Sequence, residues 1–260
     1  MAAYDFNAPR LFLDIPMHEG ARHTLDRAQA NYLLSVLRRA AGEPVLVFNG
    51  RDGEWRAEIE PTGRKAADLV LRNRIRPQTV PGDLHYLFAP LKAARLDYVA
   101  QKAVEMGASL IHPVLTRRTQ GDRIKLDKLR ANAIEAAEQC GILSLPEIRD
   151  AAPLPEAVAA LAPGRLLVFC DEDAPVADPV AALTQAGAAA GGCAVSGGTV
   201  PLAVVIGPEG GFTPEERALI ADRPNTVRLS LGPRILRADT AAVAVLALVQ
   251  AVLGDGRRGA

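Results

Sequence analysis

The chain has 260 residues, of which 49% are apolar and 23% charged, with 30 Asp/Glu balancing 30 Lys/Arg. That apolar content is enough for one large core or two small ones and excludes disorder as the dominant state. The longest apolar run, Ala241 to Val249, stops at Gln250, well short of the roughly 20 residues a bilayer span requires, so a soluble protein with no membrane partner is expected. The opening stretch MAAYDFNAPR carries an early acid and no apolar h-region, which points to the cytoplasm. Cys140, Cys170 and Cys193 are widely separated and lack metal-ligand spacing, so reduced thiols and no metal are expected. Residues 1–80 hold 12 Lys/Arg against 10 Asp/Glu, so an anionic polymer would need a local basic stripe and not a global field.

In the first 80 residues, Asp26 and Gln29 form a candidate capping box, after which Leu33, Val36, Leu37 and Ala40 recur at helical spacing until Gly42. Glu43 to Phe48, the turn Asn49-Gly50-Arg51-Asp52-Gly53 and Trp55 to Glu60 read as a hairpin. Its second strand alternates Trp55, Ala57 and Ile59 against Arg56, Glu58 and Glu60, so one face is wet. From Ala67 to Ile75 the alternation returns and sets Arg72, Arg74 and Arg76 on a single strand face. A small β-barrel over residues 1–76 is predicted. Pro77, Pro81 and Gly82 then place a domain boundary at residues 77–82.

Residues 83–260 change rhythm. Leu84 to Phe88, Ser109 to Val114, Arg165 to Cys170, Pro201 to Ile206 and Val227 to Leu231 are short apolar runs between helical stretches, the pattern of a mostly parallel sheet covered by helices. This predicts an α/β domain. The Gly- and Ala-rich stretch Gln185 to Thr199 reads as a mobile surface connection. Thr240 to Leu253 is apolar nearly all round, which asks for a second subunit or a deep core to cover it.

Two loops carry the chemistry. Gly207-Pro208-Glu209-Gly210-Gly211 follows an apolar strand and precedes a helix capped by Thr213, with Pro214 at its first position and Glu216 closing a capping box. Glycines at the carboxyl end of a parallel strand let backbone approach a flat ligand closely. The second loop runs Leu231-Gly232-Pro233-Arg234-Ile235-Leu236-Arg237. Its two guanidiniums either meet anions or developing negative charge, or face solvent, or pair with Glu209 and Asp239. Neither loop is a P-loop, and no G-x-G-x-x-G follows the strand at Leu84, which argues against a Rossmann site. His18, His23, His85 and His112 lie outside both loops; His112 reads as a satisfied core residue and Cys140 as a buried helix-end thiol.

IGPEGGFTPEE with LGPRILRADTA, preceded by RLDYVAQKAVEMGASLIHPVLTRR and AAEQCGILSLPEI, resembles the RsmE family of ribosomal RNA methyltransferases of the SPOUT superfamily. PRLFLDIP and YLLSVLRRAAGEPVLVFNG are similar to that family's PUA-like RNA-binding barrel, so the resemblance runs from Arg10 to Leu253. It implies a PUA-like β-barrel followed by a SPOUT α/β domain with a C-terminal trefoil knot, an exception to the rule against threaded chains. The implied activity is S-adenosylmethionine-dependent methylation of N3 of one uridine in small-subunit (16S) ribosomal RNA, free or in the assembled subunit, by a homodimer. The donor would be contacted by Gly207, Pro208, Glu209, Gly210, Gly211, Leu231, Gly232, Ile235 and Leu236, and walled by the loop after Cys170. Three positions depart from the family pattern: Asp239 replaces a common Glu, Ile142 a common Arg, and Asn31-Tyr32 a common His.

Methyl transfer to a ring nitrogen requires alignment and loss of the uracil NH proton, with charge spreading onto the flanking carbonyl oxygens. Arg234 or Arg237 is the candidate cation there, with Glu209 or Asp239 to orient it or accept the proton. An RNA duplex hides that base edge, so the uridine must be unpaired or extruded. Arg10, Arg38, Arg72, Arg74, Arg76, Arg117 and Arg118 are the candidate phosphate contacts. The competing readings are a SPOUT methyltransferase on another RNA and a non-catalytic RNA-binding ribosome-assembly factor.

Overall fold

Two hydrogen-bonded sheets organise the chain in a computed structural model that describes residues 8–63, 65–120, 124–175, 178–190 and 200–257. The chain divides into two compact units, Met1–Val80 with Ala137–Leu145, and Pro81–Ala136 with Pro146–Ala260.

The first unit is built on a five-stranded sheet of β1 (Arg10–Phe12), β2 (Arg22–Thr24), β3 (Pro44–Phe48), β4 (Glu54–Gly63) and β5 (Ala66–Arg76), in the order β1-β3-β4-β5-β2. β1 runs parallel to β3 and the other pairs are antiparallel. Period-two side chains set the core as expected: Ala57 and Ile59 of β4 and Ala67, Leu69 and Leu71 of β5 are buried with Leu33, Val45 and Val47. The hairpin turn is held by the Asn49 side chain, which accepts from the amides of Arg51 and Asp52 at 2.9 Å each. Gly53 sits at φ +85, and a Cβ there would lie 2.3 Å from the Arg76 carbonyl oxygen, so only glycine closes this turn.

Two expectations fail here for reasons of backbone geometry. The capping box of Asp26 and Gln29 starts α1 (Arg27–Ala30), but the helix continues as a π-helical segment, Asn31–Val36. The wider turn breaks the 3.6-residue phase. Leu33 is therefore buried while Val36 is 62% exposed, and the chain leaves through Arg38 at φ +54, short of Gly42. Likewise, Arg72, Arg74 and Arg76 do not share one face by simple alternation. The β4–β5 register shifts between Arg56 and Ala57 and again between Glu54 and Trp55, and each irregularity resets the parity.

Arg10 and Arg76 are also withdrawn as phosphate contacts. Both Nε atoms donate to the carboxylate of Glu54, at 2.9 and 2.6 Å, and Glu54 is 1% exposed. A buried carboxylate needs such partners, and guanidiniums so engaged are not presented to RNA. Residues 137–145 join this unit through single long-range bonds: the Phe12 amide donates to Glu138, Arg76 to the Gly141 carbonyl and Gln78 to the Leu143 carbonyl.

The second unit carries a parallel sheet of β6 (Leu84–Phe88), β7 (Leu110–Leu115), β8 (Glu147–Ile148), β10 (Leu166–Cys170), β11 (Leu202–Ile206) and β12 (Thr226–Leu229), ordered β12-β10-β11-β6-β7-β8, with β9 (Ala152–Pro153) paired to β7. Its five main strands fall where the apolar runs predict. They alternate with α2 (Ala93–Glu105), α3 (Leu126–Cys140), α4 (Leu154–Ala159), α5 (Pro179–Ala189), α6 (Pro214–Ala221) and α7 (Ala238–Val252). Leu87, Val114, Leu167, Phe169, Val205, Phe212 and Ile220 share one core.

α7 buries Ala242, Val245, Leu246 and Val249 against its own unit, packing on α2, α5 and β11. Its other apolar face, including Ala244, Ala247 and Leu248, stays partly exposed. The stretch from Gln185, expected to be a mobile connection, is helical as far as Ala189, because Asp178 caps α5, Pro179 opens it and alanines carry it on. Residues 191–199, including Cys193, lie outside the described residues. His112 is buried in β7, and burial lowers its pKa. Cys140 ends α3 exposed, not buried. Among the described residues no helix is long and apolar enough to cross a membrane, and no group of residues has the make-up of a metal site.

Candidate active site

Strands β12, β10 and β11 lie side by side and end at Leu229, Cys170 and Ile206. The three segments leaving their carboxyl ends enclose a cavity of about 580 Å³. All nine residues expected to contact a donor line it: Gly207, Pro208, Glu209, Gly210, Gly211, Leu231, Gly232, Ile235 and Leu236. Arg234 and Arg237 line it too.

The first loop is braced at both ends. Thr213 caps α6 reciprocally with Glu216, whose second oxygen accepts the Arg117 amide at 2.7 Å. Gly211 is at φ +70, and a Cβ on Gly207 would meet the Phe212 ring at 2.7 Å. The guanidinium of Arg118 donates to the Gly210 carbonyl at 2.7 Å, so this candidate phosphate contact also holds the loop.

The second loop is far more open. Gly232 lies at φ +102, Ile235 is 98% exposed, and Arg234 and Arg237 are exposed. Neither arginine has an ion-pair partner among the described residues, so the pairing with Glu209 and Asp239 weighed from sequence does not form. Arg95 takes both acids instead. It bonds the Glu209 carboxylate, and its Nε lies 3.8 Å from Asp239, bridging the first loop and the start of α7. The sequence reading missed Arg95. A visible signal was its place in the first turn of α2, where a cation opposes the helix dipole and no acid offsets it.

The segment after β10 supplies the third wall through Cys170, Asp171 and Glu172. Asp171 is 1% exposed and accepts from Arg217 and from Arg228, the latter at 2.9 and 2.6 Å. Arg217 also reaches Glu172 at 2.6 Å and Asp173 at 2.7 Å. Sequence reasoning missed this cluster, whose signal is the acid run Asp171-Glu172-Asp173 directly after an apolar strand. Burial, reinforced by Asp171, pushes the Cys170 thiol up to about 12, so it is protonated and no nucleophile at neutral pH.

The remaining basic candidates separate by their partners. Arg72 is tied to Glu58 at 2.8 Å and Glu60 at 3.2 Å on the wet face of β4. Arg38 and Arg74 in the first unit and Arg117 in the second are exposed, with no side-chain ion pair among the described residues.

Residues 78–250 match the family model of the RNA methyltransferase domain, and residues 25–72 that of the RNA methyltransferase PUA domain. The chain is 32% identical over 239 residues to a Synechocystis ribosomal RNA small subunit methyltransferase E, covering 88% of this chain and 73% of that protein. It is 27% identical over 242 residues to the Rickettsia conorii protein of the same name, covering 93% and 94%. Among solved structures, a Legionella pneumophila methyltransferase with bound SAM is 28% identical at a TM-score of 0.73, covering 94% of this chain and 98% of that one. A Neisseria gonorrhoeae ribosomal RNA small subunit methyltransferase E bound to S-adenosyl methionine shares the fold at a TM-score of 0.76 and 23% identity, covering 96% and 99%.

Proposed function

This chain belongs to the family of ribosomal RNA small subunit methyltransferase E, and from that premise we propose that it methylates N3 of one uridine in small-subunit (16S) ribosomal RNA with S-adenosylmethionine as donor. The observation that carries this reading is the cavity itself: two glycine loops at the carboxyl ends of parallel strands, with two arginines on its wall that form no ion pair among the described residues. Its volume lies within the ~300–1,000 Å³ of small-molecule sites. Its lining suits the donor, with Ile206, Leu229 and Leu231 for a flat base, glycine backbone for close approach, and the Glu172 carboxylate for an ammonium or hydroxyl group.

When bound, the donor supplies an activated methyl on a sulfonium. The protein must hold the acceptor nitrogen in line and favour the deprotonated base, the N3 proton passing to solvent water. Arg234 or Arg237, with no carboxylate partner among the described residues, neutralises charge on the uracil oxygens, and such a cation acts most strongly in the transition state. Glu209 is engaged by Arg95, which makes its role orientation of the loop in preference to proton removal.

We assign RNA binding to residues 1–76, read as a PUA-like barrel, with Arg38 and Arg74 as phosphate contacts, and methyl transfer to residues 83–260, closed by a trefoil knot. Support for the knot is the strand order, with β12 outside β10 while α7 returns to pack on β11. Support for a homodimer is the uncovered apolar face of α7. In vitro methylation of naked ribosomal RNA and intact small subunits, with mapping of the product nucleoside, tests the activity; an absence of 3-methyluridine with both substrates refutes it. Light scattering tests the dimer, and an experimental backbone trace through residues 171–253 tests the knot.

A further inference from the structure

A second cavity of about 190 Å³ lies against the first loop. It is lined by Lys92, Arg118 and Gln120 on one side and Pro208, Glu209 and Gly210 on the other. The last three residues also line the larger cavity, so a single chain crossing is the wall between the two. The charges facing this space are Lys92, Arg118 and Glu209. Arg95 already neutralises Glu209, and Lys92 has no ion pair among the described residues. Arg118 spends one N–H on the Gly210 carbonyl, which leaves most of its five donors available. The space is therefore small, rich in donors and net positive, which suits a compact anion and not a base.

We propose that Lys92, Arg118 and Gln120 form a subsite for a backbone phosphate of the acceptor RNA beside the methylated nucleotide. The inference rests on the reading of the larger cavity as the methyl-transfer site. A base presented to that cavity carries its own phosphate away from the reacting atom, and the wall of one loop separates the two spaces. The phosphate contact would also press on the same loop that Arg118 holds, registering the strand against the donor cavity.

Lys92 tests this cleanly, because Arg118→Ala would also release the Gly210 carbonyl. The measurements are the Kd for a small-subunit ribosomal RNA fragment across a salt series, the Kd for S-adenosylmethionine by calorimetry, and the thermal midpoint. Lys92→Ala should weaken RNA binding about tenfold and lower the slope of log Kobs against log salt by about one. Lys92→Glu should weaken it further, and Lys92→Arg should restore it, with donor affinity and thermal midpoint held at parental values. Parental RNA affinity and slope in Lys92→Ala would overturn the subsite, as would an equal loss of donor affinity, which would make the cavity part of the donor site. RNA binding is read without turnover, so a parental enzyme that binds RNA and yields no methylated nucleoside refutes the proposed activity and leaves the subsite result intact.

Discussion

Gly207→Ala strikes the donor cavity through a contact whose size can be worked out. The new Cβ would lie 2.7, 3.0 and 3.1 Å from three carbons of the Phe212 ring, against about 3.5–4.0 Å for an ordinary carbon contact. Relief requires the ring or the loop to move by roughly 1 Å. The ring is 4% exposed and stands edge-on to Phe169 at 5.4 Å, so it has little room to retreat. Overpacking of this kind costs about 1–3 kcal/mol. If the loop yields, the cost appears in donor binding, as a Kd raised about 5- to 150-fold. Calorimetry with S-adenosylmethionine and urea denaturation, run together, divide the cost between binding and stability. Phe212→Leu in the same background should recover about 1 kcal/mol or more beyond additivity, because the two side chains share one space. Parental affinity and stability in Gly207→Ala, or strict additivity in the double variant, would refute the argument.

Four further outcomes follow from the same geometry. Arg237→Ala should lower the methylation rate on the order of 10²-fold while donor affinity changes little, and a parental rate would remove the assignment. Glu54→Gln leaves the buried Arg10 guanidinium and the part-buried Arg76 guanidinium without their carboxylate and should destabilise the first unit by about 3–5 kcal/mol in denaturant titration. Arg74→Ala should reduce the salt slope of RNA binding by about one, whereas Arg10→Ala should cost stability, since its guanidinium is bound to Glu54. Burial, with Arg165 nearby, lowers the pKa of His85 from 6.5 to about 4. The unfolded chain therefore binds more protons between those values, so this stabilisation is complete above pH 6.5 and declines as pH falls toward 4, by up to about 1.4 kcal/mol per pH unit. His85→Gln should flatten the urea midpoint over that range.

Elements governed by neighbours in sequence were legible before any coordinates. The alternation of Ala57 and Ile59 against Glu58 and Glu60, the capping boxes at Asp26 and Thr213, and the five apolar strands of the second unit each follow from rules acting over a few residues. The two loops were legible for the same reason, since glycine placement after an apolar strand is a local constraint, and their cavity assembles because the strands that carry them, β11 and β12, flank β10 in the sheet.

Tertiary structure alone decided which charges are free. Arg10 and Arg234 are alike as letters, yet Arg10 is buried on Glu54 while Arg234 stands exposed on the cavity wall. Arg95 and Glu209 meet across 114 residues, and Arg118 reaches Gly210 across 92. The π-helical segment and the β4–β5 register shifts likewise depend on the packing around them, and each overturned a face assigned by simple periodicity. Periodicity and caps are enforced by bonds a few residues apart, so a linear reading recovers them. Partner choice for a long charged side chain is set by which distant backbone ends share a space, and that is known only once the chain is folded.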